Sequence, residues 1–94
     1  MNRARVCAYR SLVKFIKNGS YSNLELDATL RENPLSPADK NLYGVLFLGV
    51  MEKKITLDYL LSRVCTTPMN QLEPEVLALL ELGAYQILCL DRIP

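Results

Sequence analysis

The stretch LYGVLFLGVM, residues 42–51, restricts the possible folds of this chain more than any other segment. Ser36-Pro37-Ala38-Asp39 precedes it. Serine at a cap, proline at the first helical position and an acid near the positive end of the dipole together predict a helix start. Lys53 and Lys54 stand at the far end, where the dipole favours cations, so the helix is expected to run to about Lys53. Ten apolar residues also suit a buried strand, but the cap and the two glycines favour a helix. A helix that is apolar all round must be surrounded by others. Gly44 and Gly49 each cost about 1 kcal/mol relative to alanine within a helix, which predicts close backbone packing there.

Breakers divide the rest into further helices. Asn2 can cap a first helix from Arg3 to about Lys17, with Asn18-Gly19 as a left-handed stop. Asn23 starts a shorter helix through about Glu32, closed by Asn33-Pro34. Thr56 is read as the cap of a separate helix, TLDYLLSRVC, ended by Thr66-Thr67-Pro68. A short turn covers Met69 to Leu72, and Pro74 opens a last helix reaching about Leu90. Leucine supplies 18 residues against ten valines and isoleucines, a balance that favours helices. The expectation is one all-α domain over residues 1–94, a bundle of about five helices. Two of these are central, and three shorter ones are too few to cover them.

Net charge is only +1, but its distribution is uneven. Residues 1–24 hold Arg3, Arg5, Arg10, Lys14 and Lys17 and no acid, whereas the remaining 70 hold six basic and ten acidic side chains. At about 100° per residue, Arg3, Arg10, Lys14 and Lys17 fall within an arc of about 60°, while Arg5 projects elsewhere from the first turn. Tyr9, Leu12, Val13 and Ile16 occupy a neighbouring face expected to point to the core. A basic stripe on an anchored helix can follow a phosphate backbone, or can be a solvated face. Tyr21, in the loop after it, can stack on a base or fill a gap between helices.

Catalytic signals are missing from the pattern. There is no histidine, no G-x-G-x-x-G and no P-loop glycine pattern, and the Glu73/Glu75 pair reads as dipole stabilisation at a helix start. Cys7, Cys65 and Cys89 have no metal-ligand spacing and are expected to be small buried hydrophobes. Neither apolar run reaches the about 18 uncharged residues of a membrane span, and the charged N-terminus lacks a signal-peptide core, so a cytoplasmic protein is expected.

In order and spacing, YSNL, LSPAD, YGVL, TLDYLL, L-x-PE and LGAYQ-x-L-x-LDRIP resemble the N-terminal domain of bacterial small-subunit rRNA 5-methylcytosine methyltransferases. That domain is similar in fold to the antitermination factor NusB, and the resemblance covers about Arg3 to Pro94. It implies a NusB-like helical domain that helps hold ribosomal RNA through a basic first helix, here Arg3, Arg5, Arg10, Lys14 and Lys17. A separate C-terminal methyltransferase domain would bind S-adenosylmethionine and supply a nucleophilic cysteine; none of the three cysteines here inherits that role. Other readings are a free-standing antitermination factor of the NusB type and an interaction module without RNA contact. In the resembled family further helices follow the LDRIP-like segment, so the chain is read as truncated at its C-terminal end. Exposed core faces on the last helix would then find a substitute, and a homodimer burying Leu79, Leu82, Ile87 and Leu90 is expected.

Overall fold

A computed structural model describes residues 2–89 of the chain. It is built from helices α1 (Arg3–Asn18), α2 (Asn23–Glu32), α3 (Pro37–Val64) and α4 (Pro74–Cys89), with a 3-10 turn at Met69–Gln71 leading into α4. No strand occurs among the described residues. The long α3 packs against both α1 and α4, these two also meet each other, and α2 leans on α1.

The helix ends follow the local chemistry. Asn2 Oδ1 accepts the Arg5 amide at 3.2 Å, and Gly19, at φ 78°, closes α1 by donating to Phe15 O at 2.7 Å. A capping box that the sequence reading did not single out starts α2. Ser22 Oγ accepts the Glu25 amide at 3.1 Å while Glu25 Oε1 accepts the Ser22 amide at 3.2 Å. Ser36 caps α3 as expected, accepting the Asp39 amide at 3.2 Å.

One boundary differs. Thr56 caps nothing: α3 runs unbroken through it to Val64, so the expected five helices are four among the described residues. Neither glycine nor proline lies between Lys53 and Thr56, and the buried stripe keeps its helical register across that point, from Val50 through the half-buried Lys54 to Leu57 and Leu61. Lys54 and Asp58, four residues apart, pair across the presumed break at 3.0 Å.

The core brings Leu12 of α1 together with Tyr43, Leu46, Phe47, Val50 and Leu57 of α3 and with Ala78 and Leu82 of α4. The buried face of α1 is rotated from the expected one: Ala4, Cys7, Ala8, Ser11 and Leu12 are buried, and Tyr9, Val13 and Ile16 only partly so. Small side chains let α1 lie close to its neighbours, which the count of large apolar residues conceals. Gly49 serves the predicted close approach, since a Cβ there would overlap the Tyr85 ring of α4. Gly44 does not, with nothing within 4 Å of such a Cβ.

Tyr21 fills a gap rather than offering a free ring. It meets Phe47 edge-on at 4.7 Å, and its hydroxyl lies 3.0 Å from Ser11 Oγ and 2.9 Å from Thr29 Oγ1. Ser11 Oγ is also 2.8 Å from the Tyr43 hydroxyl, so one hydroxyl network links α1, α2 and α3. Burial pushes the Tyr43 phenol well above its ordinary value. Of the cysteines, Cys7 alone is buried; Cys65 is half-buried at the end of α3 and Cys89 exposed at the end of α4, against the expectation of three buried thiols. Their positions at helix ends, beyond the packed stripes, account for this.

Candidate nucleic-acid interface

Arg3, Arg10, Lys14 and Lys17 all stand exposed on one side of α1, as their helical spacing requires. Their bonding differs. Lys17 Nζ is 3.5 Å from Glu75 Oε2, a pair in which both side chains are about half exposed and therefore solvent-screened. Arg5 lies outside the stripe, half-buried, and its Nε donates to Gln86 Oε1 of α4 at 2.8 Å. Gln86 in turn donates to Leu82 O at 3.1 Å, so Arg5 ties α1 to α4. Arg3, Arg10 and Lys14 have no carboxylate within 4.0 Å among the described residues.

These three cations border a groove along the seam between α1 and the end of α2. One part, of about 260 Å³, has Arg3 and Arg10 facing Glu32, Asn33 and Pro34. A second, of about 150 Å³, adjoins it toward Lys14 and shares Cys7, Arg10, Glu32 and Asn33 with it. In the sequence Glu32 and Asn33 mark only the end of a different helix; the fold alone brings them to the stripe. Burial keeps the Cys7 thiol above its ordinary pKa in spite of Arg10 and Arg3, so that wall of the groove is uncharged at neutral pH.

A second charged cluster lies between α3 and α4. Glu81 is 0% exposed, in register with the buried stripe of Leu77, Ala78, Leu82 and Tyr85. Lys54 Nζ reaches its Oε2 at 2.6 Å and Asp58 Oδ2 at 3.0 Å. Burial raises the Glu81 carboxyl to about 8, with nearby Asp58 adding to the rise and Lys54 opposing it. The Lys54 ammonium, which burial would push down, is held above its ordinary value by the two carboxylates. The cluster acts as an internal clasp between two helices. Its sequence signal was an acid placed on the apolar face of LALLELGAY, which demands a cation from a neighbouring element.

The expected dimer residues do not form one face. Leu79 and Ile87 are 59% and 71% exposed, whereas Leu82, at 5%, belongs to the core and is unavailable; Leu90 lies outside the described residues. The exposed apolar surface centres instead on a groove of about 760 Å³ between the C-terminal turns of α3 and α4, lined by Tyr59, Leu60, Val64, Ile87 and Leu88. Among the described residues no group of three or more acidic or cysteine side chains could hold a metal ion, and no helix is long and apolar enough to cross a membrane.

A family model described as the NusB family matches residues 2–94. The chain is 32% identical over 94 residues to a protein of Synechocystis named probable ribosomal RNA small subunit methyltransferase B, covering 100% of this chain and 21% of that protein. It is 37% identical over 90 residues to a Bacillus subtilis protein of the same name, covering 96% of this chain and 20% of the relative. The chain thus spans about a fifth of the length of the curated relatives it matches. No solved structure matches it.

Proposed function

The chain belongs to the NusB family, and from that premise we propose that it is a non-catalytic RNA-binding domain that positions ribosomal RNA for a methyltransferase. The observation that carries the proposal is the trio Arg3, Arg10 and Lys14, exposed along one groove with no carboxylate within 4.0 Å among the described residues. Cations left without internal partners on a rigid helix neutralise phosphates at little cost in protein interactions. Lys17 contributes at the edge of the stripe, and Arg5 positions α1 rather than touching RNA.

Methyl transfer itself belongs, in this reading, to a separate domain of the longer protein, which would bind S-adenosylmethionine and work in the cytoplasm. The 94 residues contain no glycine-rich turn that would let a backbone approach such a cofactor. Both relatives carry the methyltransferase name, which favours this reading over a free-standing antitermination factor.

The test is a titration of a small-subunit rRNA fragment at several salt concentrations. The log–log slope should be about −2 to −3 for three or four contacts to single-stranded RNA, given about −0.7 per phosphate. Reversing Arg10 and Lys14 to glutamate should cut affinity at least about tenfold and flatten the slope by about 1 to 2. An unchanged slope removes the stripe from the function.

The groove between the ends of α3 and α4 supports a second reading, an interaction surface. In the isolated chain a second copy is proposed to cover it, through Ile87 and Leu88 rather than Leu82. Sedimentation at micromolar concentration should give twice the chain mass of 10.6 kDa; a monomer refutes the dimer.

A further inference from the structure

The groove on α1 carries one feature that phosphate binding does not explain. Glu32 lines the same cleft as Arg3 and Arg10, yet among the described residues it makes no salt bridge with either. A carboxylate opposite two guanidiniums repels a phosphate at that point while still accepting N–H donors. Asn33 stands beside it. Its Nδ2 donates to Thr29 O at 2.9 Å, which leaves the amide oxygen as a second acceptor. The remaining walls are apolar: Val6, the neutral Cys7, Pro34 and Leu35. The cleft therefore has cations on one rim, two acceptors on the other and a hydrophobic floor, within about 260 Å³.

We infer that this cleft receives one unpaired nucleobase bearing an exocyclic amino group, cytosine above all, with its flanking phosphates on Arg3 and Arg10. Glu32 and Asn33 Oδ1 accept from the amino group, as carboxylates do from cytosine N4. The ring lies on Pro34 and Val6. Uracil presents a carbonyl in place of the amino group and sets acceptor against acceptor. Double-stranded RNA cannot present that edge, since its bases are paired and its major groove is too narrow for side chains to read. Glu32 thus becomes a specificity-determining residue. The inference rests on the RNA-binding reading above and adds to it a choice of base.

The experiment uses the 94-residue chain and fluorescently labelled oligocytidine and oligouridine of equal length, which carry the same phosphates. Anisotropy titrations at low salt should show oligocytidine binding about tenfold more tightly. Glu32→Ala should raise affinity for oligouridine, by removing a like charge from the phosphate path, and lower the ratio of the two affinities to what Asn33 Oδ1 alone sustains. The variant should fold: Glu32 is exposed at the C-terminal end of α2, where an acid opposes the dipole, and circular dichroism checks it. Equal binding of both oligomers by the unaltered chain, with a normal salt dependence, overturns the base pocket and leaves the basic stripe standing. A cytosine preference undiminished by Glu32→Ala also overturns it. If neither oligomer binds in a salt-dependent way, both readings fall together.

Discussion

The two ends of this molecule handle charge in opposite ways. Along the α1–α2 seam, Arg3, Arg10 and Lys14 stand in solvent with no carboxylate partner among the described residues. Between α3 and α4, Lys54 is spent inside, on a carboxylate with no solvent exposure, while the surface beyond it is apolar. One region keeps its charge available to something outside the protein, and the other uses charge to hold two helices in register. Substitutions in the first should alter binding without altering stability, and those in the second should do the reverse.

The largest effect is expected at Lys54. Lys54→Ala takes the cation from both Glu81 and Asp58, a loss of about 3 kcal/mol above about pH 8, where Glu81 ionises. For a domain of this size that lowers the thermal midpoint by about 12 °C or more at pH 9, measured by circular dichroism. At pH 5, where Glu81 is protonated, the loss should be smaller. A variant that melts like the parent at pH 9 would show that the clasp does not hold α3 to α4.

Gly49→Ala should cost about 1–3 kcal/mol, because the added methyl displaces Tyr85 at the α3–α4 crossing. Gly44→Ala, five residues earlier on the same helix, should stabilise by up to about 1 kcal/mol, since its methyl enters open space. Opposite signs in chemical denaturation are the expected result. Equal effects would mean that helix propensity, rather than the crossing, decides both.

A separate effect should appear in the pH dependence. The folded Glu81 carboxyl holds its proton to about pH 8, against an ordinary value of 4.5. The stability it contributes is therefore full below about pH 4.5 and declines as pH rises through about 8. Glu81→Gln should abolish that decline, so the thermal midpoint of the parent relative to the variant falls between pH 5 and pH 8. A pH-independent difference would contradict the raised value. Smallest of all, Lys17→Ala should leave the midpoint unchanged, because its exposed pair with Glu75 is screened by solvent.

The basic stripe was legible in the sequence because a helix converts spacing directly into a face; positions 3, 10, 14 and 17 could lie nowhere else once α1 was recognised. The caps at Asn2 and Ser36 and the stop at Gly19 were legible for the same local reason. The failures share a cause as well. Thr56 has the side chain of a cap but lies within an unbroken buried stripe, and tertiary packing overrode the local signal. Leu82 looked like surface because α4 is apolar on most sides, and only the placement of α1 and α3 reveals which side is covered. Glu32 and Asn33 lie 22 and 23 residues beyond Arg10 in sequence, and no pattern along the chain joins them to it.

The hydroxyl network around Tyr21 has a dynamic consequence. Helix α2 has no buried residue of its own. It is held to the rest of the molecule by Thr29 through Tyr21 to Ser11, with half-buried Leu26 and Leu30 against the core. An element anchored that lightly opens at a free energy well below that of global unfolding. Its amides should therefore exchange hydrogen before those of α1 and α3. One bank of the groove can then yield while the other, built on Ala4, Ala8 and Leu12, stays in place, so the groove can adjust its width without loosening the core.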